Sequence, residues 1–228
     1  MHKYDGSRVA IWDDVISADE RRAYEKAGWG GKVGFGRRPA LLVTDMYRAF
    51  VDPAYPFSSE TSVETASQIR LLLDAFRRRS LPVFFTTERP AMNEADRGRW
   101  KVKAADGAQM ASAEAYEIWP EIAPLPGESV MVKTYPSAFF GTTLTSQLVY
   151  HSVDTLVVTG TVTSGCVRAT CLDAFNYNFR VIVPQECVCD RGPVSHKVAL
   201  FEIDMKYGDV VALDEVLDYV EALKQAER

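Results

Sequence analysis

Residues 155–176 read Thr-Leu-Val-Val-Thr-Gly-Thr-Val-Thr-Ser-Gly-Cys-Val-Arg-Ala-Thr-Cys-Leu-Asp-Ala-Phe-Asn. The first five are a β-rich run without polar alternation, as expected of a strand covered on both faces. Residues 160–166 are mostly small and make a turn into a helix over 164–176, with a thiol, Cys166, in its first turn. Strand, tight turn and helix without a break are half of a βαβ unit. Working outward, the same alternation recurs from Pro39 on. Short apolar runs at 40–44, 83–86, 129–132, 180–183 and 210–213 join 155–159 as strands. Between them Val63, Ala66, Ile69, Leu72, Leu73 and Phe76 recur at helical spacing and predict a helix over 63–76; others fit 144–150, 194–205 and 214–223. The pattern predicts an α/β protein: a doubly wound, mostly parallel sheet of six strands with helices on both faces, three layers (αβα) in all.

Residues 1–38 stand outside that alternation as an N-terminal arm, and 39–228 form the domain. The arm is polar and ends in a glycine-rich stretch, 28–36, too permissive to stay regular for long. Ser17 lies three residues before Glu20, the spacing of a capped short helix. Trp12 and Trp29 would be unusual on a free tail and imply that the arm packs on something, a neighbouring subunit being one candidate. Segment 89–125, rich in charge, alanine and proline, interrupts the alternation as an excursion over the top of the sheet.

The 228 residues carry 26 Lys and Arg against 31 Asp and Glu, 26 − 31 = −5, with 47% hydrophobic and 25% charged residues. This is an ordinary globular composition. A domain of this size buries on the order of 70% of its unfolded surface, so it needs neither disulfide nor metal to hold together. The one basic block, Arg77-Arg78-Arg79, is no footprint for nucleic acid or anionic lipid, and both are excluded as main partners. No apolar run reaches the ~18 residues that span a bilayer, and the first residues lack the apolar core of a signal peptide, which predicts a cytoplasmic protein. Cys166, Cys171, Cys187 and Cys189 are too few and too clustered for a secreted disulfide framework. Each is a small core hydrophobe or a reactive thiol.

In a parallel sheet ligands gather at the carboxyl ends of the strands. Strand 40–44 runs into Asp45, 129–132 into Lys133, and 155–159 into the turn that ends at Cys166. Taken singly, each has a plain structural role: a loop-capping carboxylate, a solvated strand terminus, a buried helix-start cysteine. Together they deliver an acid, an ammonium and a thiol to one edge. An ammonium and a helix N-terminus both stabilise a thiolate, which predicts a depressed thiol pKa and a nucleophile. The carboxylate can carry the proton between thiol, substrate nitrogen and water. Backbone N–H groups of the turn can hold an oxyanion. Acyl transfer through a thioester follows from that set.

Asp45 in Leu-Leu-Val-Thr-Asp-Met-Tyr-Arg-Ala-Phe, Lys133 in Val-Lys-Thr-Tyr-Pro-Ser-Ala-Phe-Phe-Gly-Thr, and Cys166 in Val-Thr-Gly-Thr-Val-Thr-Ser-Gly-Cys-Val-Arg-Ala-Thr together resemble the isochorismatase-like cysteine hydrolases, over about residues 38–222. Thr-Ser-Gly-Cys-Val-Arg-Ala-Thr and the spacing 166 − 133 = 33 most resemble the branch of the N-carbamoylsarcosine and maleamate amidohydrolases. The resemblance implies a triad of Cys166, Asp45 and Lys133. It also implies a cis peptide between Thr161 and Val162 and an oxyanion hole from the N–H groups of Val162 and Cys166. Arg191 would grip a substrate carboxylate with its planar fork; as a plain surface residue it would instead pair with Asp190. Thr161 and Thr163 are candidate substrate contacts, and Tyr135 and Phe139 candidate pocket walls, although aromatics are more often plain core. A homo-oligomer, dimer or tetramer, is expected on the same ground.

The chain departs from some of its resemblances. Nicotinamidases hold a metal through an Asp-x-His pair, whereas residues 51–56 here are Val-Asp-Pro-Ala-Tyr-Pro. The three histidines, His2, His151 and His196, are not at ligand spacing, so neither metal nor other cofactor is expected. Isochorismatases proper act without the cysteine. Tyr47-Arg48 stands where the family often has Gln-Asn, and Arg48 meets either a second anionic group or solvent. Cys187-Val188-Cys189 is a lone C-x-C without partners. The expected function is hydrolysis of a linear carboxamide or ureido C–N bond in a small, carboxylate-bearing substrate, with release of ammonia. The alternatives are an amidase for biuret, ureidoacrylate or another amide, and a non-catalytic thiol sensor on the same fold.

Overall fold

The computed structural model describes residues 10–103 and 112–223. Its strands are β1 (Pro39–Thr44), β2 (Val83–Thr87), β3 (Ser129–Val132), β4 (Thr155–Thr161), β5 (Arg180–Pro184), β6 (Val188–Cys189) and β7 (Asp209–Val211). They form a seven-stranded sheet in the order β3-β2-β1-β4-β5-β7, with β6 beside β4. Every pairing is parallel. Six strands were expected; the seventh, β6, is a two-residue strand beside Gly160 and Thr161, too short to show any periodicity. The strand order reverses between β1 and β4, so their carboxyl ends flank the switch point where such sheets open a crevice.

Helices α1 (Ala18–Lys26), α2 (Ser62–Arg78), α3 (Leu144–Tyr150), α4 (Arg168–Asn176), α5 (Pro193–Lys206) and α6 (Leu213–Ala222) accompany the strands. Successive strand residues point to opposite faces, and β1 shows how one apolar run feeds two cores. Ala40 and Leu42 join Leu148, Leu200 and Phe201 on the face of α3, α4 and α5. Leu41 and Val43 join Ile69, Leu73, Phe76 and Val216 on the face of α2 and α6. Three layers result. Among the described residues no helix is long and apolar enough to cross a membrane.

The arm docks on its own domain. Ser17 caps α1 by accepting from the Glu20 N–H. Trp12 and Ile16 are buried, and Trp12 and Tyr24 both meet the Phe201 ring edge-on, at 6.0 and 5.3 Å. Trp12 is therefore part of this chain's own core, whereas Trp29 stays exposed. Carboxylates pin the glycine-rich stretch: Asp209 accepts from the N–H groups of Val33 and Gly34, and Asp154 from those of Arg37 and Arg38. A β carbon at Gly36 would lie 2.2 Å from Asp154 Oδ1, so any larger residue there would have to displace that carboxylate.

Of segment 89–125, residues 104–111 lie outside the described residues; residues 112–125 run along the carboxyl edge of the sheet through short turns at Ala113–Tyr116 and Pro120–Ile122. Tyr47 and Ile118 form a β-bridge, Trp119 N–H donates to Met46 O, and Thr87 Oγ1 donates to Tyr116 O.

Candidate active site

β1 ends at Thr44, and Asp45 adopts a positive φ of 54°, a region that Asp enters more readily than most residues. Thr86 on the neighbouring strand fixes it twice, accepting from the Asp45 N–H at 3.1 Å and donating to Oδ1 at 2.7 Å. β3 delivers Lys133, whose Nζ sits 2.7 Å from Asp45 Oδ2 with both side chains fully buried. The same Nζ donates to Tyr135 O at 3.1 Å and reaches Cys166 Sγ at 3.5 Å. An ammonium has three N–H bonds, and this one has three acceptors. The three strand-end residues expected to meet are therefore within one another's reach.

Cys166 arrives from β4. Gly160 has φ 103°, and a β carbon there would lie 1.9 Å from the Thr44 carbonyl, so only glycine lets the end of β4 lie against β1. The Thr161–Val162 peptide is cis, as the resemblance implied. Helix 164–176 was expected to start directly. It opens instead with one wide turn, Thr163–Val167, in which Val167 N–H reaches back to Val162 O, before α4 takes over. Such wide turns recur at functional sites. Of the four thiols, Cys166 is partly exposed while Cys171, Cys187 and Cys189 are buried.

The electrostatics correct one expectation. The thiol was expected to be acidified; it is held above its ordinary value instead, first by burial and then by the Asp45 carboxylate, with Lys133 pulling the other way. The resting thiol is a neutral S–H beside the Asp45 carboxylate. Burial works against the Lys133 charge, but Asp45 and Cys166 more than offset it and hold the ammonium above its usual range.

Thr161 and Thr163 spend their hydroxyls on the protein. Thr161 Oγ1 donates to Cys189 O at 3.3 Å, and the Thr163 hydroxyl hydrogen-bonds His196 Nδ1 at 2.8 Å, both threonines being buried. They set the shape of the turn. Burial holds His196 below its ordinary value, hence neutral at pH 7. Asp190 secures the next residue, accepting from Ser164 N at 2.8 Å and Ser164 Oγ at 2.6 Å. Phe139 is buried and stacks on Tyr177 at 5.4 Å and on Phe179. Tyr135 is exposed beside Phe140, and its carbonyl orients Lys133. Arg191 does not pair with Asp190. Its Nη1 donates to Phe57 O at 2.8 Å and its guanidinium lies 5.7 Å from the centre of the Phe50 ring. Arg48 faces Glu114 and Glu117 at 3.7 and 3.6 Å.

Glu88, one residue past β2, is a carboxyl of the same edge that the reading of strand ends passed over. Burial, then the nearby Asp45, raise its pKa to about 7, with Lys133 and the Tyr47 hydroxyl opposing. Tyr47 itself is fully buried and, chiefly by burial, held well above its ordinary value, so it remains a donor. The signal was available: Glu88 follows its strand just as Asp45 and Lys133 follow theirs.

A buried carboxylate–ammonium pair thus lies in reach of a thiol, at the switch point of a doubly wound parallel sheet. An isochorismatase domain matches residues 39–215, and the chain belongs to that family. It is 36% identical over 224 residues to an N-carbamoylsarcosine amidase from an Arthrobacter species, covering 96% of this chain and 84% of that one. It is 39% identical over 211 residues to a maleamate amidohydrolase from Pseudomonas putida, covering 92% and 99%. A solved cysteine hydrolase from Pseudomonas syringae pv. phaseolicola has the same fold, with TM-score 0.77 at 23% identity over 82% of this chain and 94% of that one.

Proposed function

We propose that this isochorismatase-family amidohydrolase cleaves a linear carboxamide or ureido C–N bond in a small carboxylate-bearing substrate through a Cys166 thioester. The observation that carries the proposal is Lys133 Nζ, 2.7 Å from Asp45 and 3.5 Å from Cys166. Asp45 takes the thiol proton as Sγ attacks the carbonyl carbon. Lys133 steadies the negative charge as it moves from carboxylate to sulfur. The new oxyanion is received by the N–H groups of Val162 and Cys166. Protonated Asp45 gives its proton to the nitrogen, the C–N bond breaks and ammonia leaves. Water then attacks the thioester, losing a proton to Asp45; the C–S bond breaks, and that proton returns to sulfur as the acid departs.

The relatives' names support a small amide as substrate. Arg191 supports a carboxylate on it: among the described residues it has no acidic partner, and a single carbonyl leaves most of its N–H bonds unused. A thiol sensor is disfavoured, because oxidation selects thiols of lowered pKa, whereas this one is raised.

Ammonia release is to be measured over maleamate, N-carbamoylsarcosine, ureidoacrylate, biuret and nicotinamide, with Cys166→Ala beside the wild type. Release confined to the carboxylate-bearing amides and lost in the variant is the expected result. Undiminished release by Cys166→Ala would end the thioester mechanism, and release from biuret or nicotinamide alone would end the role of the carboxylate.

A further inference from the structure

The catalytic centre holds more potential negative charge than its one cation can offset. Asp45, Glu88 and the nascent Cys166 thiolate are three anionic groups, and Lys133 is the single ammonium among them. All three N–H bonds of Lys133 are committed, to Asp45, Tyr135 O and Cys166. Glu88 and Lys133 stand side by side: the parallel register pairs Thr87 with Val132, and Lys133 N–H donates to Thr87 O, which places the two residues next in line at adjacent strand ends. Yet among the described residues no Lys, Arg or His lies within ion-pair distance of the Glu88 carboxyl. Its chain neighbour Arg89 reaches the Pro90 carbonyl at 3.5 Å. The groups that act on Glu88 are Asp45 from β1, Lys133 from β3 and the Tyr47 hydroxyl from the turn after β1. That buried hydroxyl has no hydrogen-bond partner within bonding geometry, so it stands near Glu88 uncommitted to any other group. One phenol is little compensation for a half-buried carboxylate beside a second carboxylate.

We propose that Glu88 sets the charge of the catalytic centre: it works in its protonated, neutral form, and its ionisation switches the Cys166 nucleophile down. The inference rests on Cys166 being the nucleophile of the site described above. Protonated, Glu88 leaves Asp45 and Lys133 as a neutral pair, and the thiol proton can move to Asp45 against no further charge. Ionised, it adds a negative charge that opposes both the thiolate and the oxyanion that follows. It acts through Cys166 and Asp45, as a positioning residue for charge rather than a group that bonds to the reacting atoms. Its carboxyl changes state near neutrality, about 7, within the range where an enzyme of this kind works.

The test is the rate of Cys166 alkylation by iodoacetamide, an uncharged electrophile, followed against pH in wild type and Glu88→Gln by intact mass. The other three thiols are buried, and peptide mapping confirms the site. The ratio of variant to wild-type rate is expected to rise with pH, from near one at about pH 6 to roughly tenfold at about pH 8.5, the factor that one unit of thiol shift corresponds to. A ratio that does not change with pH, or a variant slower throughout, would overturn the proposal. Tyr47→Phe gives a second reading if Glu88→Gln does not fold. It removes the donor that favours ionised Glu88, so the break in the wild-type profile should move to higher pH, and an unmoved break counts against the proposal. Alkylation needs no amide substrate. A silent amide panel would therefore count against the proposed reaction alone, while the pH comparison still decides the role of Glu88.

Discussion

Lys133 matters less as a charge beside a thiol than as a triple donor that locks carboxylate, sulfur and loop carbonyl into one geometry. Asp45, not Lys133, dominates the local charge felt by the thiol, second only to burial. Asp45→Asn should therefore separate two properties that usually fall together. Amide turnover is lost with the base, while the thiol pKa drops, because the carboxylate that raised it is gone and the ammonium remains. Iodoacetamide alkylation at neutral pH should speed up by about tenfold for each unit of that drop; slower alkylation would mean that Asp45 ionises the thiol in the resting enzyme. Asp45, Lys133 and Cys166 were legible in the sequence because each directly ends a strand or its turn. Thr161 and Thr163 were legible as residues of the turn, but the partners of their hydroxyls were not, because Cys189 O and His196 lie far along the chain. The company of Arg191 was not legible, since Phe50 and Phe57 lie more than a hundred residues earlier in the chain.

The element that makes the site is β4 with its turn and α4. Gly160 is its tightest point: the Thr44 carbonyl excludes any side chain and φ 103° disfavours one. Gly160→Ala should cost at least about 2 kcal/mol by denaturant unfolding and displace the nucleophile turn, where ordinary surface changes stay within about 0.5 kcal/mol. An unchanged midpoint would show that β1 and β4 can part at no cost. Below the turn, His196 from α5 and Asp190 after β6 hold Thr163 and Ser164, so the turn that carries Cys166 is braced from elements distant in sequence. The continuous apolar strands and the periodic helices were readable from residue pattern alone. β6 and the wide turn at Thr163–Val167 were not, because two residues carry no period and a widened turn has the same composition as an ordinary one.

At the scale of the molecule, the arm is part of the fold. Trp12 and Ile16 complete one core, and Asp154 and Asp209 pin residues 33–38 by their backbone N–H groups. Asp154 adds a pH dependence. Burial would raise its pKa, but the Arg37 N–H, the Thr155 hydroxyl and the Arg38 N–H outweigh that and lower it. A carboxylate whose folded pKa is depressed contributes stability that is complete above its ordinary value of 3.8 and is lost as pH falls through the lower folded value. Amide exchange at Arg37 and Arg38, followed down a pH series and corrected for intrinsic rates, should show protection lost only below about pH 4. Loss between about pH 5 and 7 would assign the clamp to other groups. The tryptophan content of the arm announced that it packs; which surface it packs on was invisible, because Phe201 lies 201 − 12 = 189 residues away.

The most direct test of the central claim is the mass of the enzyme itself. Wild-type protein mixed with maleamate or N-carbamoylsarcosine and quenched in acid within the first turnovers should carry an adduct equal to the substrate less ammonia. Peptide mapping should place it on Cys166, and alkaline hydroxylamine should remove it. Turnover of either amide with no adduct on Cys166, or equal turnover by Cys166→Ala, would contradict the thioester account.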